Sequence, residues 1–261
     1  MQLSDMHFGT EQPAVVEALV ALALQQRPDL LVLSGDITQR ARPAEFQAAR
    51  AFMNRLGAPM LAIPGNHDIP LFNVWARLQR PYADHMAVFG SELEPVHASP
   101  DLLVVGVNTT RARRHKDGEV SAQQVERVAQ LLQGATAAQL RLVVVHQPVA
   151  VTRAEDRPNL LHGHAQALKR WAAAGADLVM GGHIHLPYVL EIQGLARAMW
   201  AVQAGTAVSS RVRPGAPNSV NLLRWNKSAL PRFCNIEQWD FSSAHQAFMC
   251  STVTQVRPAR A

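Results

Sequence analysis

A chain of 261 residues with 48% hydrophobic side chains can bury a sizeable core by itself, so neither a disordered segment nor a disulfide-stapled miniprotein is expected. Lys+Arg 25 against Asp+Glu 20 gives a net charge of +5, a modest excess that favours anionic ligands such as phosphates and, less specifically, nucleic acid or a membrane surface. Much of it lies in Arg111 to Lys116 and in the tail Arg257 to Arg260, which read as a solvated loop and a loose terminus. Cys234 and Cys250 are the only cysteines and neither has zinc-finger spacing. They read as free thiols of a reducing compartment, although a late hairpin could bring them face to face. No basic leader with an apolar stretch opens the chain, and no run approaches about 18 apolar residues, so no membrane span and a cytoplasmic location are expected.

The first strand, Met1 to Ser4, is unusually short, as though a few strand residues preceded it, and it leads into Asp5-Met6-His7. Pro13 to Gln26 carries Val15, Val16, Leu19, Val20, Leu22 and Ala23 at helical spacing, with Pro13 suited to a first turn. Asp29 to Ser34 is a continuous apolar run, as in a strand buried on both faces, and ends in Gly35-Asp36. The unit repeats: Pro43 to Leu56 is helical, Gly57 stops it, and Met60 to Ile63 runs into Gly65-Asn66-His67-Asp68. A helix is predicted around Leu71 to Gln79, then a strand at Leu102 to Asn108, and a helix from Ser121 through Leu132 with Ser121 capping over Gln124. Leu142 to Val145 presents His146. Ala165 to Ala174 is helical, and Asp177 to Met180 ends in Gly181-Gly182-His183-Ile184-His185.

From Pro187 onward five short stretches, Tyr188 to Gln193, Ala198 to Gln203, Ser219 to Trp225, Phe233 to Phe241 and Ala247 to Val256, read as mostly antiparallel strands. Without a low-complexity linker or internal repeat, the economical reading is one α/β domain over 1–261. A half bearing the polar clusters (1–186) would join a mostly β half (187–261), two sheets packing together with helices outside. In open α/β sheets ligands gather at the carboxyl ends of strands, where every polar cluster falls.

Taken singly the clusters are weak. Asp5 and His7 could be a hydrogen-bonded turn, Asp36 a turn residue and His146 a strand-end histidine. Two imidazoles at His183 and His185, two apart beside Gly181 and Gly182, are costly to hold without a metal. Five such clusters at strand ends, in order, argue for one metal site.

Asp5-x-His7, Gly35-Asp36, Gly65-Asn66-His67-Asp68, His146 and Gly182-His183-x-His185 together resemble the signature of the calcineurin-like metallophosphoesterases. Asn108-Thr109-Thr110, the stretch Ala204 to Arg211 and Asn218 to Asn221 are most similar to the bacterial cyclic-nucleotide phosphodiesterase (class III) branch. Gly35-Asp36-Ile37-Thr38-Gln39-Arg40 departs from the protein Ser/Thr phosphatases. The resemblance implies a four-layer α/β/β/α sandwich of two mixed sheets and two divalent metal ions, Mn, Fe or Zn, a choice that the mixed imidazole, carboxylate and amide donors suit. One ion would be held by Asp5, His7 and His185, the other by Asn66, His146 and His183, with Asp36 bridging. It also implies hydrolysis of a small phosphodiester by a hydroxide between the metals, with a 3′,5′-cyclic nucleotide as the candidate, His67 at the leaving group and Asp68 fixing its tautomer. Arg211 and His164 are candidate substrate contacts, His164 being set in a His-Gly-His loop before a helix. Other phosphoesters (a phosphomonoester, glycerophosphodiester, nucleic acid or lipid-linked phosphate) are the alternatives, and a metal-free scaffold is the reading from another class. No specific nucleic acid partner is expected, and exposed late strands would permit a homodimer. A lipid substrate would favour an exposed apolar flap, of which the sequence gives no sign. Trp75, Trp171 and Trp200 read as core.

Overall fold

The computed structural model describes residues 1–229 and 231–258, so the end of the basic tail beyond Pro258 lies outside the described residues. Three parallel strands, β1 (Gln2–Leu3), β2 (Leu31–Ser34) and β3 (Met60–Ile63), are joined by α1 (Pro13–Gln26) and α2 (Pro43–Arg55). Pro13 sits in the first turn of α1, and Arg27 closes it in the left-handed conformation with its N–H on the Ala23 carbonyl. Leu31 and Leu33 point toward the helices, while Val32 between them points to the opposite face. That alternation of two apolar faces is why the run carries no polar position.

After β3 come α3 (Val74–Gln79) and α4 (Ala83–Phe89). A second sheet follows: β4 (Val96–Ser99), β5 (Leu102–Gly106), β6 (Leu140–Val144) and β7 (Leu178–Gly181), with α5 (Ala122–Gln133) and α6 (His164–Ala174) between its strands. Ser121 and Gln124 form the expected capping box at the start of α5. Late strands complete both sheets instead of forming a third. β8 (Tyr188–Glu191) and β9 (Trp200–Gln203) extend the second, while β10 (Ser219–Asn226), β11 (Phe233–Ser242) and β12 (Ala247–Val256) extend the first, giving orders β12-β11-β10-β1-β2-β3 and β4-β5-β6-β7-β9-β8. β9 runs parallel to β7; the other late pairings are antiparallel.

Three apolar clusters define four layers. One, with Leu19, Phe52 and Met53, lies between the first sheet and its helices. Another, with Val128, Leu132 and Trp171, lies between the second sheet and α5 and α6. The third, with Val32, Ile63, Val104, Val144 and Val202, fills the space between the sheets. Polar pins cross that space: Gln2 Nε2 donates to the Gly181 carbonyl at 3.0 Å and to Ser34 Oγ at 3.1 Å. Parallel register then levels the strand ends, with Leu3 beside Leu33, Ser34 beside Ile63 and Val144 beside Met180, so the polar clusters emerge at one edge.

Several sequence expectations are revised. β4 was not foreseen. The helix predicted at Leu71 to Gln79 begins only at Val74, where Asn73 caps it. Trp75 is 64% exposed, because this short helix buries only Ala76, whereas Trp171 is fully buried with Nε1 on the Val125 carbonyl. Leu71, Phe72, Val74 and Leu78 are exposed beside Trp75, so an apolar flap does exist. Cys234 and Cys250 are free: in register Cys234 faces Val256 and Cys250 faces Trp239, and only Cys234 is buried. Among the described residues no helix is long and apolar enough to cross a membrane.

His85 in α4 is buried against Phe46 and Phe89, with no hydrogen-bond partner for either ring nitrogen among the described residues. Burial pushes its pKa down from 6.5 to about 4. The unfolded chain therefore binds this proton first, and stability falls as pH drops from about 6.5 toward 4. His85→Met is expected to remove up to about 3 kcal/mol of that acid sensitivity, read as a flatter dependence of denaturation midpoint on pH. An unchanged slope would show that His85 is not the titrating group.

Candidate metal centre

Each sheet edge delivers its polar residues through a backbone bend. Of the eight described non-glycine residues with positive φ, five are candidate ligands: Asp5, His7, Asp36, His183 and His185. Such conformations cost about 1–3 kcal/mol each and persist where surrounding structure imposes them. Two glycines are required by close approach: a Cβ on Gly65 would lie 2.1 Å from the Asp36 nitrogen, and one on Gly182 would lie 1.9 Å from Ser4 Oγ and 2.5 Å from Asp5 Oδ2.

The side chains converge in overlapping groups: Asp5, His7 and His185; Asp36, His146 and His183; and His7, Asp36 and His67, each with donor atoms within 4.8 Å of one another. Asp36 belongs to two of them on opposite sides. Its Oδ1 lies 3.3 Å from His146 Nε2 and its Oδ2 3.7 Å from His7 Nε2. Asn66 Oδ1 lies 3.2 Å from His146 Nε2, and Asp5 Oδ1 lies 3.3 Å from His185 Nε2. The seven ligands expected from sequence are thus brought together.

Outward ring nitrogens are already held. His146 Nδ1 contacts the Ser34 carbonyl at 2.8 Å, and His185 Nδ1 contacts the Arg211 carbonyl at 2.5 Å and the Thr206 hydroxyl at 2.9 Å. Carbonyl anchors of this kind fix the tautomer that leaves Nε2 free as a ligand. The donor set fits two divalent cations: His7 Nε2 and His185 Nε2 face each other at 3.3 Å, and His7 Nδ1 is buried with no partner among the described residues. Two imidazole nitrogens in that arrangement can share one proton or take a cation.

Electrostatics point the same way. Burial alone would raise Asp5, but His185 beside it holds the carboxyl at about 2. Against the same burial, His146 and then His67 hold Asp36 well below the usual range. Burial would lower His146, yet Asp36 lifts it to about 9, and Asp5 raises His185 against burial. Burial lowers His7 to about 3 and, with His146, His183 to about 4. Buried carboxylates and imidazoles perturbed in opposite directions at such close range mark a functional site.

His67 is half-buried, its ring 4.8 Å edge-on from His7. Its orienting partner is not Asp68, as expected from sequence, but the Gln39 carbonyl, 2.9 Å from Nδ1. Asp68 points the other way and gathers the N–H groups of Gly65, Ile37 and Thr38 and the Thr38 hydroxyl at 2.8–3.1 Å, tying the Asp36 loop to the Asn66 turn. Burial, and then Asp36, push its carboxyl up to about 6, against the pull of these N–H groups. Asp68→Asn would set an amide against one of those donors and is expected to cost about 2–4 kcal/mol in stability. Thermal unfolding checks this, and an unchanged melting temperature would refute the role.

Arg211 reaches the cluster. Its Nη1 donates to Gln39 Oε1 at 2.8 Å and lies 3.3 and 3.4 Å from the two His67 ring nitrogens, against the ring instead of in line with one lone pair. His164 does not join: its Nδ1 contacts the Leu161 carbonyl at the start of α6, and it belongs to none of the ligand groups. Gln39 is the residue that sequence reading missed. Its two contacts, one from backbone and one from side chain, leave no mark in composition or spacing.

A model of the calcineurin-like phosphoesterase family matches residues 1–187. The chain belongs to that family. It is accordingly a hydrolase of phosphoric esters. Among curated proteins it is 28% identical over 208 residues to a probable cyclic nucleotide phosphodiesterase of Synechococcus, covering 72% of this chain and 73% of that one. It is also 53% identical to a glycerophosphodiester phosphodiesterase of Enterobacter lignolyticus over 45 residues, 17% of this chain and 16% of that one. Among solved structures, a dimetal phosphatase from Danio rerio superposes with a TM-score of 0.68 at 12% identity, covering 99% of this chain and 98% of that chain. The purple acid phosphatase from yellow lupin seeds gives 0.74 at 11%, covering 98% and 53%. At these identities the two structures speak for the fold alone, and they bear out the four-layer α/β expectation.

Proposed function

We propose that this phosphoesterase hydrolyses small phosphodiesters, with a 3′,5′-cyclic nucleotide as the first substrate to test, using two divalent ions drawn from Mn, Fe and Zn. The observation that supports the reading is the place of Asp36 between His146, 3.3 Å from its Oδ1, and His7, 3.7 Å from its Oδ2, as suits a carboxylate shared by two adjacent cations. Asp5, His7 and His185 would hold one, and Asn66, His146 and His183 the other. Such ions supply Lewis acidity, making water nucleophilic near neutral pH and neutralising charge on the phosphoryl group.

The remaining residues do work of their own. With both ions bound, the two carboxylates Asp5 and Asp36 would leave the site cationic by roughly two, which would draw in a phosphate anion. His67, with Nδ1–H held on the Gln39 carbonyl, would carry on Nε2 the proton that passes to the departing alkoxide. Arg211, steadied by Gln39, can bind a non-bridging phosphoryl oxygen beside it.

Diester preference is supported by the Synechococcus relative's description; the short Enterobacter match adds glycerophosphodiesters to the panel. The test is hydrolysis of bis-p-nitrophenyl phosphate against p-nitrophenyl phosphate with Mn²⁺, followed by cyclic nucleotides and glycerophosphodiesters. Faster turnover of the diester is expected. Monoester preference would make the chain a phosphatase, and no activity with any metal would favour a scaffold.

A further inference from the structure

One feature of the surface is unrelated to metal binding. Beyond the Asn66 turn, Leu71, Phe72, Val74, Trp75 and Leu78 stand 41–76% exposed within eight residues. Scattered exposed apolar side chains are ordinary, but a contiguous group with two aromatics marks an interaction surface.

Its surroundings are cationic. Arg40 lies over the Phe72 ring, 5.9 Å from its centroid, and Arg80 over the Trp75 ring at 5.4 Å. Arg77 donates to the Arg114 carbonyl at 2.8 Å, which ties the basic loop to α3. Residues 69–83 contain Arg77 and Arg80 and no acid, and residues 111–116 contain three arginines and Lys116, again with no acid. Some of this charge is spent locally: Arg111 serves the Asn108 and Thr110 carbonyls, and Arg114 pairs with Glu119 at 3.0 Å. Arg40, Arg80, Arg113 and Lys116 remain exposed.

We propose that the strip from Leu71 to Leu78 docks on an anionic lipid bilayer, its aromatic and aliphatic side chains entering the headgroup layer while Arg40, Arg80, Arg113 and Lys116 meet lipid phosphates. Charge complementarity selects this occupant. Here guanidinium groups lie on the rings themselves, the mixture that suits a headgroup layer, where apolar bodies go down and cationic tips stay among phosphates. The strip also borders the metal site: Phe72 follows His67 by five residues, and Arg40 adjoins Gln39, whose carbonyl holds the His67 ring. Docking would bring that mouth to the membrane plane. The inference stands apart from the substrate reading, because its test reads binding and not hydrolysis.

The test is cosedimentation of the full chain with phosphatidylcholine vesicles and with mixed phosphatidylcholine–phosphatidylglycerol vesicles. The chain is expected to pellet with the anionic vesicles, to stay soluble with neutral ones, and to be released by added salt. Phe72→Ser with Trp75→Ser is expected to weaken partitioning by about tenfold or more. Arg80→Gln with Lys116→Gln, which alters no buried packing, should weaken it by several-fold and guards against misfolding of the first variant. Absence of pelleting, or pelleting that neither variant changes, overturns the proposal. So does a dimer in size-exclusion chromatography that the Phe72/Trp75 variant dissociates, which would give the strip to a second copy of the chain.

Discussion

Asp36→Ala is expected to reduce phosphoesterase activity to background and to weaken metal binding at both positions by more than about 100-fold. Asp36 is the side chain between the two ligand groups, 3.3 Å from His146 on one side and 3.7 Å from His7 on the other. Its Oδ1 also accepts the His67 N–H at 2.8 Å, so removing it frees the turn that carries Asn66. By contrast, His183→Ala takes a ligand from one group only and is expected to leave the Asp5, His7 and His185 position loaded. Elemental analysis after dialysis compares them. Loss of only one ion in Asp36→Ala would mean that the two positions are not linked through Asp36.

His67→Ala is the second large effect, and its signature is different. Metal content should stay near wild type while turnover falls by about 10²–10⁴-fold on a diester with an alkoxide leaving group. A p-nitrophenolate leaves without help from an acid, so the same variant should lose much less on bis-p-nitrophenyl phosphate. Equal losses on both esters would place His67 on the phosphoryl group instead of on the leaving oxygen. Loss of metal would make it a ligand, an outcome the structure keeps in view because His67 also stands within reach of His7 and Asp36.

The candidate ligand set was legible because each of its members is a polar residue at the end of an apolar strand, a pattern that costs stability unless chemistry repays it. Strand register did the rest: once β1, β2 and β3 are level, Asp5, Asp36 and Asn66 have to emerge together. What could not be read is instructive. Asp68 looks like an orienter for its neighbour His67, but the 3-10 turn at Asn66–Asp68 sends the two side chains in different directions. Orientation of His67 falls to a backbone carbonyl, which every residue type has. The left-handed conformations at Asp5, His7, Asp36, His183 and His185 are equally invisible, since nothing in the sequence distinguishes them from extended residues. Trp75 misled because apolar neighbours suggest burial, yet α3 is too short to bury more than one side chain. Its neighbours became the exposed strip instead.

Anomalous diffraction from crystals grown with Mn²⁺ measures the shared-aspartate centre directly. Two peaks per chain are expected, one among Asp5, His7 and His185 and one among Asn66, His146 and His183, with Asp36 touching both. A single peak, or a second one away from Asp36, would contradict a dinuclear site.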